Sequence, residues 1–489
     1  MNYDIQALKI DRANSLWPQR VYFLAFSYAV GGGCIFYLRI IEYLLTFTNI
    51  KVGIIDFSDG IMARTAKKFF ADYDIQYIQF DSMPWNIEDD SCIFSSGELL
   101  GFVNKIQAKN VRICMYHWNT DIAWHVLYKR KRFKKLASLL YETNACSFMD
   151  YGCYIYACRT FYKHFEKNYI PLFFYSENYK KYNYINKKNE INIVWLGRLS
   201  TSKTLSLINA IENFSEYKTK KKKIFHIIGN GLDEDALKDF CKTYEKDITF
   251  IFTGVLTGDD LNKYLQENTD VGLAMGTSLL NFAALHLPVI AAQEPRERFH
   301  SNKFQWLFNL FEYCLGSPLE EGEDFEPMFK SISTFKDMLD DISIHNKRIE
   351  YGEKCYKYYI EKHSNIEMIG KKFVECIKKT KLTYEKYKKC LKYIPYNSIY
   401  GIGEKKYYFF NIPFIKIIYH GHETFIYLFG IRFAKIIDWP DQKKIYFCGF
   451  KIMRCRIYGK YYFPTLTSPT IKEQCKNKFA IEKRIFNKF

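Results

Sequence analysis

The sequence predicts an α/β protein: two parallel-sheet units facing a cleft, followed by a β-rich repeat at the carboxyl end. Three observations carry this. Short apolar runs alternate with amphipathic helical stretches from residue 21 to residue 116, and the alternation restarts at residue 191. Alternation of this kind builds parallel sheets with right-handed crossovers. A polar stretch, Tyr175–Glu190, separates the two series. After residue 380 the pattern changes to aromatic and aliphatic residues that recur with an offset of 19 residues, from Tyr407 to Ile426 to Ile445.

In the first series, Val21–Ser27, Lys51–Phe57, Ile75–Phe80, Ser91–Phe94 and Val111–Tyr116 are short apolar runs, expected as buried strands. Cys34–Phe47, Met62–Phe70 and Leu99–Gln107 have helical spacing. In the second series, strands are expected at Ile191–Gly197, Ile224–Gly229, Ile248–Thr253, Val271–Ala274 and Pro288–Ala292. Helices are expected at Leu205–Asn213 and Asp233–Tyr244. Helical patterns follow at Phe335–Ile344 and Lys347–Thr380. The domain plan is therefore 1–175, a linker at 176–190, 191–334, closing helices at 335–380, and a tail at 381–489. In the tail, Tyr407–Ile417, Ile426–Ile437 and Ile445–Cys455 each read as strands or hairpins around a turn-like Asn or Gly.

Composition bounds the function. At 489 residues the chain exceeds one hydrophobic core, and 48% hydrophobic residues exclude wholesale disorder. Abundant Lys, Ile, Tyr, Phe and Asn match AT-rich coding and point to a bacterium. Met1–Arg20 lacks the apolar core and cleavage site of a secretory leader. Val21–Ile50 is broken by Gly31, Gly32, Gly33, Arg39 and Glu42, short of the roughly 18–20 apolar residues of a bilayer span. A cytoplasmic protein is expected. The 14 cysteines form no CxxC pair, and the closest group is Cys146, Cys153 and Cys158. Such thiols are expected to be reduced and buried, and no metal is assigned. Of the net charge of +18, residues 381–489 hold 22 Lys/Arg against 7 Asp/Glu (+15), leaving 49 against 46 (+3) for the rest.

Three segments of the second series carry chemistry. Gly197, Arg198 and Leu199, with Lys203 downstream, follow a strand and open a helix. Fixed cations at a helix N-terminus suit a departing diphosphate. Gly229 and Gly231 form a second strand-to-helix turn. Gly276, Thr277 and Ser278 begin a third helix, and Pro288 precedes the next strand. Each segment alone is an ordinary turn or a surface charge.

Taken in order, GRLSTSK, IIGNGLDEDALK and FTGVLTGDDLNKYLQENTDVGLAMGTSLLNFAALHLPVIA resemble the donor domain of GT-B glycosyltransferases of the family 4 type. The resemblance implies two Rossmann-like domains and a divergent bacterial surface-polysaccharide branch. It implies that Arg198 and Lys203 bind the donor diphosphate and stabilise it as it leaves, with no obligatory metal and no separate cofactor. Gly197, Gly229 and Gly231 would approach the nucleotide, and Gly276, Thr277, Ser278 and Leu279 would lie beside pyrophosphate and sugar. The family's two glutamates fall here on Leu273 and Asn281, of which only Asn281 can still hydrogen-bond a ribose hydroxyl.

In the first series, Gly31–Gly33 falls where the family carries a glycine loop near the donor phosphates, so Gly32 and Gly33 are further candidates. His117 resembles a histidine found near the sugar; Asp121 and Asp150 are weaker candidates. Ser95–Glu98 and Tyr116–Asn119 end strands on the expected cleft side. The expected activity is a retaining, hexosyltransferase-like transfer from a nucleotide-sugar to a lipid-linked or growing glycan of capsule or lipopolysaccharide type. The alternative is a degenerate glycan- or partner-binding subunit. The tail is expected to dock on an anionic inner-membrane surface, with Tyr427, Phe429 and Trp439 at the interface, or to pack as a structural module. No nucleic-acid motif accompanies its charge.

Overall fold

The computed structural model describes residues 17–24, 32–57, 60–80, 82, 84–97, 103, 106–118, 131–175, 189–293, 295, 298–316 and 331–391, and seven strands between 403 and 466. The expected linker at 176–188, together with Gly31, Glu98, Asn119 and Asp121, lies outside them. The first sheet comprises β1 (Arg20–Leu24), β2 (Lys51–Asp56), β3 (Ile75–Gln79), β4 (Cys92–Ser96), β5 (Arg112–His117) and β6 (Cys146–Phe148). All pairings are parallel, in the order β3-β2-β1-β4-β5-β6. β1 and β4 are buried from end to end, which is why they read as unbroken apolar runs. The described helices of this unit are α1 (Gly32–Phe47), α2 (Ile61–Phe69), α3 (Lys131–Glu142) and α4 (Tyr151–Phe161).

The second sheet repeats the plan. Its strands β7 (Glu190–Leu196), β8 (Lys222–Ile228), β9 (Ile248–Gly254), β10 (Val271–Ala274) and β11 (Val289–Ala291) are parallel. Antiparallel β12 (Lys303–Trp306) and β13 (Ser333–Thr334) extend one edge. The order is β13-β12-β11-β10-β7-β8-β9, so the direction of winding reverses between β7 and β10. Here lie α5 (Thr201–Glu216), α6 (Glu234–Lys242), α7 (Gly258–Asn268), α8 (Thr277–Ala284) and α9 (Phe335–Ser343).

The helical pattern of Lys347–Thr380 is two helices, α10 (Arg348–Lys362) and α11 (Ile366–Lys379). The break falls where the Asn365 side chain accepts the Met368 N–H at 2.8 Å and caps the second helix. The two helices serve different units. α10 packs on the second, where Gly352 leaves no room for a side chain against the His286 carbonyl. α11 packs on the first, where Gly370 faces the Tyr43 ring and Phe373 stacks on Phe23 at 5.8 Å. α12 (Tyr384–Leu391) stays with the first unit, through the Tyr384 hydroxyl that accepts the Ile106 N–H at 3.2 Å. That contact bears on the end of the helix expected at Leu99–Gln107: Ile106 is extended, in a parallel bridge with Trp85 and buried, while 99–102, 104 and 105 lie outside the described residues.

The tail is an antiparallel meander: β14 (Gly403–Phe409), β15 (Ile412–His420), β16 (Glu423–Leu428), β17 (Ile431–Trp439), β18 (Gln442–Phe447), β19 (Phe450–Tyr458) and β20 (Tyr461–Leu466). Each 19-residue repeat is two strands. The register shifts at Tyr407/Tyr408, at Ile426/Tyr427 and at Ile445/Tyr446, once per repeat. Phe429 and the side chain of Trp439 lie outside the described residues. Among the described residues, no helix is long and apolar enough to cross a membrane.

Candidate active site

The carboxyl ends of β7, β8 and β10 lie side by side and carry three of the sequence-predicted segments. β7 delivers Gly197 and Arg198. The Gly197 N–H donates to Ile228 O at 3.1 Å, and the Leu199 N–H donates to Asn230 O at 2.9 Å. Arg198 is exposed, while Leu199 is fully buried and anchors the loop. Lys203 sits half-buried in the first turn of α5. The loop after β8 closes onto this one: an added Cβ would lie 2.1 Å from Gly197 O at Gly229, and 2.0 Å from Leu199 O at Gly231. At Gly229, φ is +129°. Both glycines are therefore explained by contact between the two loops, a role that turn spacing in the sequence does not distinguish from nucleotide approach.

β10 delivers the third segment. Gly276 caps α8 with φ 64° and ψ −144°, and its N–H donates to Leu315 O at 2.6 Å. Unlike Gly229 and Gly231, it opens on space, with no atom within 4 Å of an added Cβ. Thr277 and Ser278 follow, half-buried in the first turn. Leu279 is fully buried, so its side chain is a core group rather than the ligand contact the resemblance implied. Asn281 donates its amide to Thr277 O at 3.3 Å, one turn back along α8. Leu273 is buried within β10.

Candidates from the first unit gather at the ends of β1 and β5. α1 begins at Gly32, and a Cβ on Gly33 would lie 2.3 Å from the Trp118 ring, so this glycine admits the tryptophan. Trp118 in turn stacks on Tyr37 at 5.2 Å. His117, just before it, is 2% exposed and stacks on Phe148 at 5.6 Å. Burial lowers its pKa to about 3, so it is a neutral imidazole inside the unit. Asp150 caps α4, accepting the Cys153 N–H at 2.8 Å. Burial pushes its carboxyl up to about 6, against the pull of backbone N–H groups from Cys153 and Gly152.

Residues 311–315, which had no signal in the sequence, join the two sets of strand ends. The Tyr151 N–H, at the start of α4, donates to Glu312 O at 3.2 Å, and the Tyr151 ring meets Phe311 at 4.8 Å. The Tyr169 hydroxyl donates to Glu312 at 2.7 Å. Glu312 and Tyr313 both have positive φ, 29° and 65°, so the segment is held in an unusual backbone shape. The carboxyl end of β6 and the Gly276 turn therefore share one support. A pocket of about 600 Å³ flanks this segment, lined by Tyr169, Phe311, Glu312, Tyr313, Lys354 and Lys362, and none of the sequence-predicted residues lines it.

No family model matches the chain, and no curated protein matches it. Among solved structures, the chain is similar to Anabaena HepE in complex with UDP at 10% identity, covering 73% of this chain and 99% of that one, with a TM-score of 0.49. It is similar to S. aureus TarM, in complex with UDP among other ligands, at 12% identity, covering 73% and 99%, with a TM-score of 0.44. It is also similar to WaaG, a glycosyltransferase involved in lipopolysaccharide biosynthesis, at 10% identity, covering 73% and 99%, with a TM-score of 0.42.

Proposed function

We propose that the chain is a glycosyltransferase that moves a sugar from a nucleotide-diphosphate sugar to a lipid-linked or growing bacterial surface glycan. One observation carries the reading. Gly197 and Arg198, just after β7, and Gly276, just after β10, flank the point where the winding of the second sheet reverses. Open parallel sheets bind nucleotides at the carboxyl ends of their strands at such a point. There the diphosphate meets the Arg198 guanidinium, the Lys203 ammonium and the first-turn N–H groups of α8, all complementary to negative charge. The charge on the diphosphate grows as the glycosidic bond to the donor breaks, so these groups stabilise the transition state more than the ground state.

The sequence resemblance supports a hexosyl donor and a retaining course, and an acceptor of capsule or lipopolysaccharide type. Asn281 offers a neutral partner to the ribose. In this reading the enzyme works on the cytoplasmic side. The degenerate-subunit reading has one observation in its favour: Leu273, at the first glutamate position, is buried and apolar.

A thermal-shift screen with UDP, GDP, ADP and CMP tests the site, because a ligand that binds only the folded state raises its stability. Release of free sugar from the matching nucleotide-sugar then tests the chemistry. A shift with one nucleotide plus sugar release is the expected result. A shift without release, or no shift with any nucleotide, would overturn the transferase reading in favour of the binding subunit.

A further inference from the structure

The carboxyl-terminal sheet sorts its residues by face. Residues paired across an antiparallel ladder lie on one face, and neighbours along a strand lie on opposite faces. The register places Lys416, Tyr427 and Arg432 in one cross-strand row, and Lys435, Tyr446 and Lys451 in another on the same face. Traced through all seven strands, that face takes eight Lys or Arg positions against two acidic ones, Glu404 and Glu423. The opposite face takes Ile417, Ile426, Ile436 and Ile445 at matching positions.

The basic face is also periodic. Tyr408, Tyr427 and Tyr446 recur every 19 residues, each next to a register shift, and Lys416, Lys435 and Arg454 recur every 19 residues as well. Equivalent positions are two strands apart, which at the spacing of a sheet is a step of about 10 Å. Tyr427, Tyr446 and Lys435 are half-buried, and the Lys435 ammonium lies 5.2 Å above the Phe425 ring on the same face.

We propose that this face binds a linear anionic polysaccharide with one acidic group per disaccharide. Tyr427 and Tyr446 offer rings to the apolar faces of sugars, and Lys435 offers a cation to the acidic group. The step of about 10 Å is comparable to the length of one disaccharide. A bilayer surface attracts cations and interfacial rings but gives no reason for equal spacing along one line. The inference rests on the proposed function only in that a growing surface glycan would supply such a chain. Binding itself needs no turnover.

The test titrates the full chain, without nucleotide-sugar, with hyaluronan oligosaccharides of increasing length, which carry one carboxylate per disaccharide. Neutral dextran and vesicles containing phosphatidylglycerol are the comparisons. Affinity is expected to rise with each added disaccharide until the three repeats are spanned, with no binding to dextran. Tyr427→Ala with Tyr446→Ala should weaken hyaluronan binding by about tenfold or more. Tyr427→Phe keeps the ring and should bind as wild type, and Lys435→Gln should weaken binding and flatten its salt dependence. Arg198→Ala should bind hyaluronan as wild type, so loss of transferase activity and loss of this inference are distinguishable. Affinity independent of length, tyrosine variants that bind as wild type, or vesicle binding that hyaluronan does not compete away would each overturn the proposal.

Discussion

Arg198 is exposed at the end of β7, so its removal spares the packing around Leu199. At the proposed site it faces a departing diphosphate, where one preorganised contact is worth about 2–4 kcal/mol. Arg198→Ala and Lys203→Ala are each expected to lower turnover of the nucleotide-sugar at least about tenfold with an unchanged melting temperature. Wild-type turnover in both would move the donor elsewhere. Asn281 is a subtler case, because one N–H of its amide is engaged with Thr277 O, and its carbonyl and second N–H are what it offers to a ribose. Asn281→Glu restores a charged acceptor and is expected to keep or tighten nucleotide binding by calorimetry. Loss of binding in that variant would mean that this turn of α8 does not face the ribose.

The strand-end loops separate two kinds of glycine, and the separation can be measured. Gly229→Ala would force a Cβ into the Gly197 carbonyl and is expected to destabilise the fold by about 2 kcal/mol or more in denaturant titration. Gly276→Ala meets no atom, so its cost is backbone strain alone, about 1–3 kcal/mol. Its larger effect should be on nucleotide affinity, since the turn leads into the first N–H groups of α8. A Gly276→Ala protein that binds nucleotide as wild type would exclude the turn from the site. The sequence distinguishes neither kind, since a glycine reserved for a neighbouring loop and one reserved for a ligand share the same spacing. Buried strands such as VYFL and INIVWL are legible because their apolar character is local. The extended course of Ile106, the packing of Leu279 and the shape of residues 311–315 depend on contacts distant in the chain and left no local trace. The tail repeat was more informative than its composition. Two residues separate successive strands, so each hairpin pairs residues three apart and changes the in-strand alternation once. Two hairpins per repeat cancel, and an odd period of 19 then requires one irregularity per repeat, which is where the register shifts are.

Across the whole molecule, α10 and α11 tie the second unit to the first, and the turn between them is held by His363, whose ring bonds Leu172 O at 2.7 Å. Burial lowers the pKa of His363 to about 4, and that of His117 to about 3. Both histidines are neutral in the fold and gain protons on unfolding below about pH 6.5, so their share of stability is complete above that pH and is lost as pH falls. Asp150 acts in the opposite sense, because its raised pKa favours the fold as pH falls through about 6. From pH 7 to pH 5 the two histidines cost about 4 kcal/mol together and Asp150 returns about 1, a net loss of about 2–3 kcal/mol. The melting temperature should therefore fall over this range, and Asp150→Asn, which keeps the cap, should make the fall steeper. A flat profile would mean that these groups titrate normally in the fold. The once-per-repeat register shift has a consequence for lineage rather than for energy. Because every 19-residue copy leaves both faces in phase, a gene can gain or lose whole copies without turning the sheet inside out. Copy number then becomes a ruler, and kindred chains with more or fewer copies would differ in reach while presenting the same surface.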